Sequence, residues 1–271
     1  MPPQKACVFC GRYDGLSKEH LWPKWMGEYL PLSEPNAHIS ELHSGIAKQL
    51  RTLQRRSERP GPVQTKKIRA VCSRCNNSWM SALEEEAKPI LLRALTSQGL
   101  IVGPSEAERL SKWAVLKAIV GEHASGDHLT PADDRSNFRS MQAIPSYFRV
   151  FANMHASTTQ AAYVRHSATF SLTLNGPKPS LPKGVNRNVQ LTTLLVGPLC
   201  LHVSATRVDG APNGLLDPVR PMACLHPISS ATVDLGLIPV LTDIDLHLNS
   251  RAIQRLIDHP RVKYGGELPV P

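Results

Sequence analysis

Cys72-Ser73-Arg74-Cys75-Asn76 repeats the spacing of Cys7-Val8-Phe9-Cys10, and these two stretches decide how the N-terminal part of the chain folds. Each Cys-x-x-Cys forms a tight knuckle presenting two thiolates. Four thiolates close a tetrahedral zinc site and leave no position for substrate, so the zinc is structural, with Cys7, Cys10, Cys72 and Cys75 as its ligands. A redox dithiol is the competing use of such a pair, but the strand-and-helix surroundings of a thioredoxin-like motif are missing. Cys200 and Cys224 stand alone in apolar, strand-like sequence and read as core thiols.

Outward from the second pair, residues 65–71 alternate charged with apolar and predict a short strand running into Cys72. Downstream, Trp79, Met80, Leu83, Ala87, Ile90 and Leu91 recur at three- and four-residue intervals, the mark of a helix over 76–95, and Pro89 predicts a kink near its middle. A helix is expected at 41–56, stopped by Pro60-Gly61-Pro62. Beyond Gly103-Pro104 a helix is expected over 105–122, capped by Ser105, with Leu110, Trp113, Ala114 and Lys117 on one side. A shorter one follows at 133–143. From Tyr147 the chain turns strand-like, at 148–154, 161–174, 189–205 and 232–238, with a last helix at 250–258. The fold class is α+β: a zinc-bound module at 1–96 followed by a mixed helix and antiparallel-sheet domain at 97–271.

Composition narrows the partners. Hydrophobic residues at 41% and charged residues at 20% are a globular mixture, which excludes a disordered or collagen-like chain. No run approaches the roughly 18 apolar residues of a membrane span, and the start lacks the apolar stretch of a signal peptide, so the expectation is a cytoplasmic protein without a membrane partner. The net charge of +9 favours a polyanion. It is densest between 48 and 74, where Lys48, Arg51, Arg55, Arg56, Arg59, Lys66, Lys67, Arg69 and Arg74 face a single acid, Glu58. Arg51, Arg55, Arg56, Lys66, Lys67, Arg69 and Arg74 are the candidate phosphate contacts. Trp22, Trp25 and Trp79 suit either base stacking or packing on the knuckles, and packing is the commoner use. Glu84-Glu85-Glu86 reads as an exposed helix face, with Glu84 a remote further metal ligand.

Between the cysteine pairs lies Leu16-Ser17-Lys18-Glu19-His20-Leu21-Trp22-Pro23. The order Cys-x-x-Cys, acidic-His-x-x-Pro, Cys-x-x-Cys-Asn resembles the zinc-stapled branch of the HNH nucleases, the His-Me finger or ββα-metal group, in the bacterial and phage form with an added C-terminal region. The resemblance covers residues 5 to 96. Glu19 stands where the family usually has Asp, and Trp79 where it usually has Lys. The resemblance implies a treble-clef-like ββα-metal module in which His20 is the general base and Glu19 and Asn76 hold one catalytic divalent metal. A carboxylate and an amide carbonyl are hard donors, suited to magnesium or manganese. The implied function is metal-dependent endonuclease hydrolysis of phosphodiester bonds in DNA, with RNA as a second substrate class and a homodimer as a compatible assembly. The rival from another class is a non-catalytic zinc-finger protein that binds nucleic acid.

Overall fold

The computed structural model describes residues 5–13, 15–30, 66–97, 99–169, 180–208, 210 and 214–253, together with the backbone at 36–46 and 49–59. It opens on a small antiparallel two-stranded sheet, a hairpin only in its pairing, since residues 21–66 join its two strands. Strand β1 (Leu16–His20) pairs with β4 (Lys67–Cys72), Leu16 opposite Cys72 and His20 opposite Lys67. The register slips between Ser17 and Glu19, a bulge that re-aims the residues beyond it. In β4 the alternation expected from sequence is present: Lys67 and Arg69 face out, while Ile68 and Ala70 are buried.

From Cys72 the chain enters a short helical turn, α1 (Ser73–Cys75), a wide turn over Asn76–Met80, and then α2 (Ser81–Thr96). The kink expected at Pro89 lies instead at Ser78, whose backbone leaves the helical region at φ −115°, ψ −105°. Pro89 sits on the exposed side of α2. There the backbone bond it forfeits falls to water, while Leu83, Ala87, Ile90, Leu91 and Ala94 hold the opposite face in the core.

The central element is α3 (Pro104–Ser125), which is buried on every side from Trp113 to Glu122. Its cap is Gly103 rather than the expected Ser105: the Gly103 N–H donates to Glu106 Oε2 at 3.1 Å. Gly126 ends the helix in the left-handed region, φ 79°, where a side chain would clash with its own backbone. A shorter helix, α4 (Ala132–Met141), follows, close to expectation.

Two further strands precede β4. Residues 41–56, expected as a helix, belong to a hairpin of β2 (Asn36–Ile46) and β3 (Gln49–Arg59). The two strands pair along their whole length, and β2 lies parallel to β7 (Ala161–Ala168), a long-range partner that outweighs local helical spacing. They extend a seven-stranded sheet of order β10-β6-β9-β8-β7-β2-β3. Its other members are β6 (Phe148–Met154), β8 (Val189–Val196), β9 (Leu199–Thr206) and β10 (Ala223–His226). All neighbours but β2 and β7 run antiparallel. The single strand expected at 189–205 is two, folded at Gly197-Pro198, with Gly197 at φ 57°.

At 232–238 only Val233–Asp234 is strand (β11), paired with β5 (Ile101–Val102), and a 3-10 turn follows at Leu235–Leu237. The last described helix is α5 (Asp243–Ser250), so the helix expected at 250–258 comes earlier and residues 251–253 are turn; 254–258 of that helix, and 170–174 of the expected strand, lie outside the described residues. One apolar core runs from Cys7 through Trp22, Leu83 and Trp113 to Leu201 and Leu235, so it crosses residue 96 without a break. Smaller clusters cover the far face of the sheet at Leu191 and Ile253 and at Leu195 and Leu241. No described helix is long and apolar enough to cross a membrane.

Candidate functional site

The hairpin and α1 bring the two knuckles together. The sulfurs of Cys7, Cys10, Cys72 and Cys75 all lie within 4.8 Å of one another, and Cys10 Sγ is 3.6 Å from Cys72 Sγ. None of the four is in a disulfide. The Cys75 N–H points at Cys72 Sγ at 3.5 Å, the backbone donation that thiolates need. Burial pushes the Cys7 thiol up, but backbone hydrogen bonds from Cys72, Cys10 and Phe9 outweigh it, and its pKa falls from 9.0 to about 7. Burial and neighbouring sulfurs raise Cys75 to about 12 and also raise Cys10. Four converging thiols that cannot all ionise beside one another fit a divalent cation, which supplies the missing positive charge. The cluster can hold zinc. Trp79 packs edge-on against Phe9 at 5.0 Å and Phe138 at 6.0 Å, closing the knuckle against α4 as the packing alternative anticipated.

At the other end of the hairpin, the bulge turns Glu19 inward, where it is 5% exposed. Its Oε1 accepts from Lys117 Nζ at 2.7 Å, and the same ammonium donates to the His20 carbonyl at 3.0 Å. Glu84 Oε2 stands 3.6 Å from that nitrogen, so Lys117 lies between two carboxylates. Burial raises Glu84 above the ordinary carboxylate range and Lys117 opposes the shift. Glu84 is thus turned inward, whereas Glu85 and Glu86 are exposed as expected.

This arrangement bears on the catalytic metal that the resemblance implies. The Glu19 carboxylate is already neutralised by a buried cation, and the helical residue brought to it is Glu84. The carboxylate that the resemblance assigns to the catalytic metal is held by Lys117 in this structure. Local sequence assigns no partner to Lys117. The signal it does carry is a charged side chain on the same stripe as Leu110, Trp113 and Ala114, a position that demands a buried partner.

His20 is half-buried at the hairpin's end. Burial, then Lys67, Lys117 and Lys24, lower its pKa below the ordinary 6.5, with Glu19 opposing. The imidazole is therefore neutral near pH 7 and able to accept a proton. Beyond it, Trp22 is buried, its Nε1 donating to Leu195 O at 3.4 Å, so it anchors the loop to β8. Lys88 lies over the Trp25 ring at 5.6 Å.

Of the basic residues, Lys67, Arg69 and Arg74 are exposed on or next to β4, and Lys66 is partly so. Arg51, Arg55 and Arg56 fall on β3, the edge strand of the large sheet. Cys200 is a fully buried core thiol, pushed by burial to about 12, whereas Cys224 is only partly covered. Comparison with protein-family models, curated proteins and solved structures finds no match to this chain.

Proposed function

We propose that the N-terminal module is a nuclease of the HNH kind, hydrolysing phosphodiester bonds in nucleic acid, DNA first, with His20 as general base. The observation that supports this most is a neutral, half-exposed imidazole at the end of a hairpin stapled by four cysteines, with Lys24, Lys67 and Lys117 around it. His20 would take the proton from an attacking water, a role worth about 10²- to 10⁴-fold in rate. Lys67 and Lys24 would face the phosphate, and the four cysteines, bridged by zinc, would hold the hairpin against α1. Arg69 and Arg74 extend the same basic surface along the strand and its knuckle.

A second reading has its own support: the Glu19–Lys117 pair removes the carboxylate that a catalytic divalent ion would need, which favours a zinc-finger protein that binds nucleic acid without cutting it. Incubation of wild type and His20→Ala with supercoiled plasmid, single-stranded DNA and RNA, in magnesium, manganese or EDTA, separates the two. The nuclease reading expects cleavage reduced about 10²-fold or more in the variant, with zinc content and DNA affinity unchanged. Binding without cleavage in every condition establishes the finger, and cleavage of RNA alone moves the substrate class.

A further inference from the structure

At the C-terminal end of α3 lies a cluster that neither the zinc knuckle nor His20 uses. A carboxylate oxygen of Glu122 and one ring nitrogen each from His123 and His128 all lie within 4.8 Å of one another. Consecutive helical residues diverge by about 100°, so Glu122 and His123 alone would not converge on a ligand. The turn at Gly126 changes this by carrying His128 back over the last helical turn, its ring centroid 4.3 Å from that of His123.

The returning loop is fastened at several points. Glu122 Oε2 accepts the N–H groups of Leu129 and Thr130, both at 3.1 Å, and Oε1 accepts the Thr130 hydroxyl at 2.7 Å. Asn186 clamps the other side, its Oδ1 accepting the His128 N–H at 2.7 Å and its Nδ2 donating to Gly126 O at 3.0 Å. The histidines are thus presented by a rigid frame, as a ligand site requires.

Two features of the cluster point to a cation. Glu122 is completely buried and has three hydrogen bonds, but no ion pair among the described residues. His123 Nε2 is buried with no hydrogen-bond partner among the described residues.

We propose that Glu122, His123 and His128 bind a second divalent cation, zinc or a neighbouring first-row metal, in an open three-ligand site separate from the four cysteines. Two imidazoles and a carboxylate are a donor set that zinc takes when it keeps a fourth position for water. His123 and His128 line a cleft of about 710 Å³ whose other wall includes Cys7 to Gly11, which gives water and metal a way in. A tetrahedron with bonds of about 2.1 Å sets its ligands about 3.4 Å apart, inside the 4.8 Å within which the three ligand atoms lie. Arg135 and Arg165 oppose the cation electrostatically. Arg135, however, turns its Nε to Val8 O at 2.8 Å and its Nη1 to Thr130 O, and Arg165 Nη2 donates to Asp127 O and, at 2.8 Å, to Gln190 Oε1. Asp127 on the other flank is paired with Arg187 at 2.7 Å, so the two charges there offset each other.

The test is metal analysis of the full chain equilibrated with zinc and desalted, beside cobalt titration of metal-free protein. Wild type should hold two zinc ions per chain, and His123→Ala or His128→Ala one, the retained cysteine-bound ion showing that the fold survives. The second cobalt equivalent should add visible bands without the thiolate-to-cobalt charge transfer of the first. A wild type that saturates at one equivalent overturns the proposal, as do two variants that still hold two. If both variants fail to fold, the wild-type cobalt titration decides alone, because a missing second, thiolate-free band refutes the site.

Discussion

Replacing Lys117 with Met keeps the length and much of the volume of the side chain and removes only its charge, so the result reports electrostatics rather than a cavity. In the folded protein the Lys117 side chain is 1% exposed and its partner Glu19 7%, so water screens neither. Removing one member of a buried pair leaves the other charge uncompensated and costs about 3–5 kcal/mol. Here Glu84, at 3.6 Å from the lost nitrogen, is left facing Glu19 as well, which places the expectation at the upper end of that range. For a chain of this size that is a fall in Tm on the order of 10 °C by calorimetry or circular dichroism. The deficit should shrink as pH falls from 7.5 towards 5, because without the ammonium the two carboxylates take up protons more readily and lose their repulsion. Lys117→Met with Glu19→Gln should recover much of the loss. Millimolar magnesium or manganese should raise the Tm of Lys117→Met but leave wild type unmoved, since only the variant has two carboxylates without a cation. A single variant within 2 °C of wild type, or one whose deficit is the same at both pH values, would refute the role assigned to Lys117.

Three other outcomes follow from separate parts of the structure. Cys72→Ser should lose the thiolate-bound metal, read as loss of the thiolate-to-cobalt charge-transfer band, and the near-ultraviolet signal of Trp79, because metal binding in small thiolate sites contributes about 10–16 kcal/mol, as much as a whole domain's stability; a variant that keeps both band and signal argues against the four-thiolate site. Gly121→Ala would drive its methyl into the hydroxyl end of Tyr163, and such overpacking costs about 1–3 kcal/mol, read as a lower urea midpoint; an unchanged midpoint would show that the ring moves aside freely. Burial holds His155 and His226 below their ordinary value of 6.5, so their unfolded forms take up protons first. Stability should therefore be complete above about pH 6.5 and decline below it, and an equal or higher urea midpoint at pH 5.5 than at pH 7.5 would contradict this.

What could be seen in the sequence was what short spacing alone determines. Two Cys-x-x-Cys pairs make knuckles in any context, and the structure gathers their four sulfurs. Residues 148–154 are strand because their β-formers are followed by chain that returns beside them as β9. The hairpin at 36–59 was hidden for the opposite reason. Leu50, Leu53, Arg51 and Arg55 stand at helical intervals, while the partner that makes β2 a strand, β7, lies far along the chain. The same separation governs the candidate site. Glu19 and His20 form a local motif, and a motif supplies an oxygen donor without saying what binds it. The cation that does so comes from α3, 98 residues on, beyond the 5–96 stretch in which the family resemblance lies. A lysine placed there changes the chemistry of Glu19 from that of a free ligand to that of a neutralised one, while leaving every residue of the motif in position. The proton-accepting role proposed for His20 does not depend on Glu19 holding a metal, because burial first and then Lys67, Lys117 and Lys24 lower the pKa of its imidazole. On that proposal the charge that stabilises a leaving oxygen would come first from Lys67 and Lys24, which act on the ring together with Lys117, and their loss should impair turnover more than the loss of Asn76.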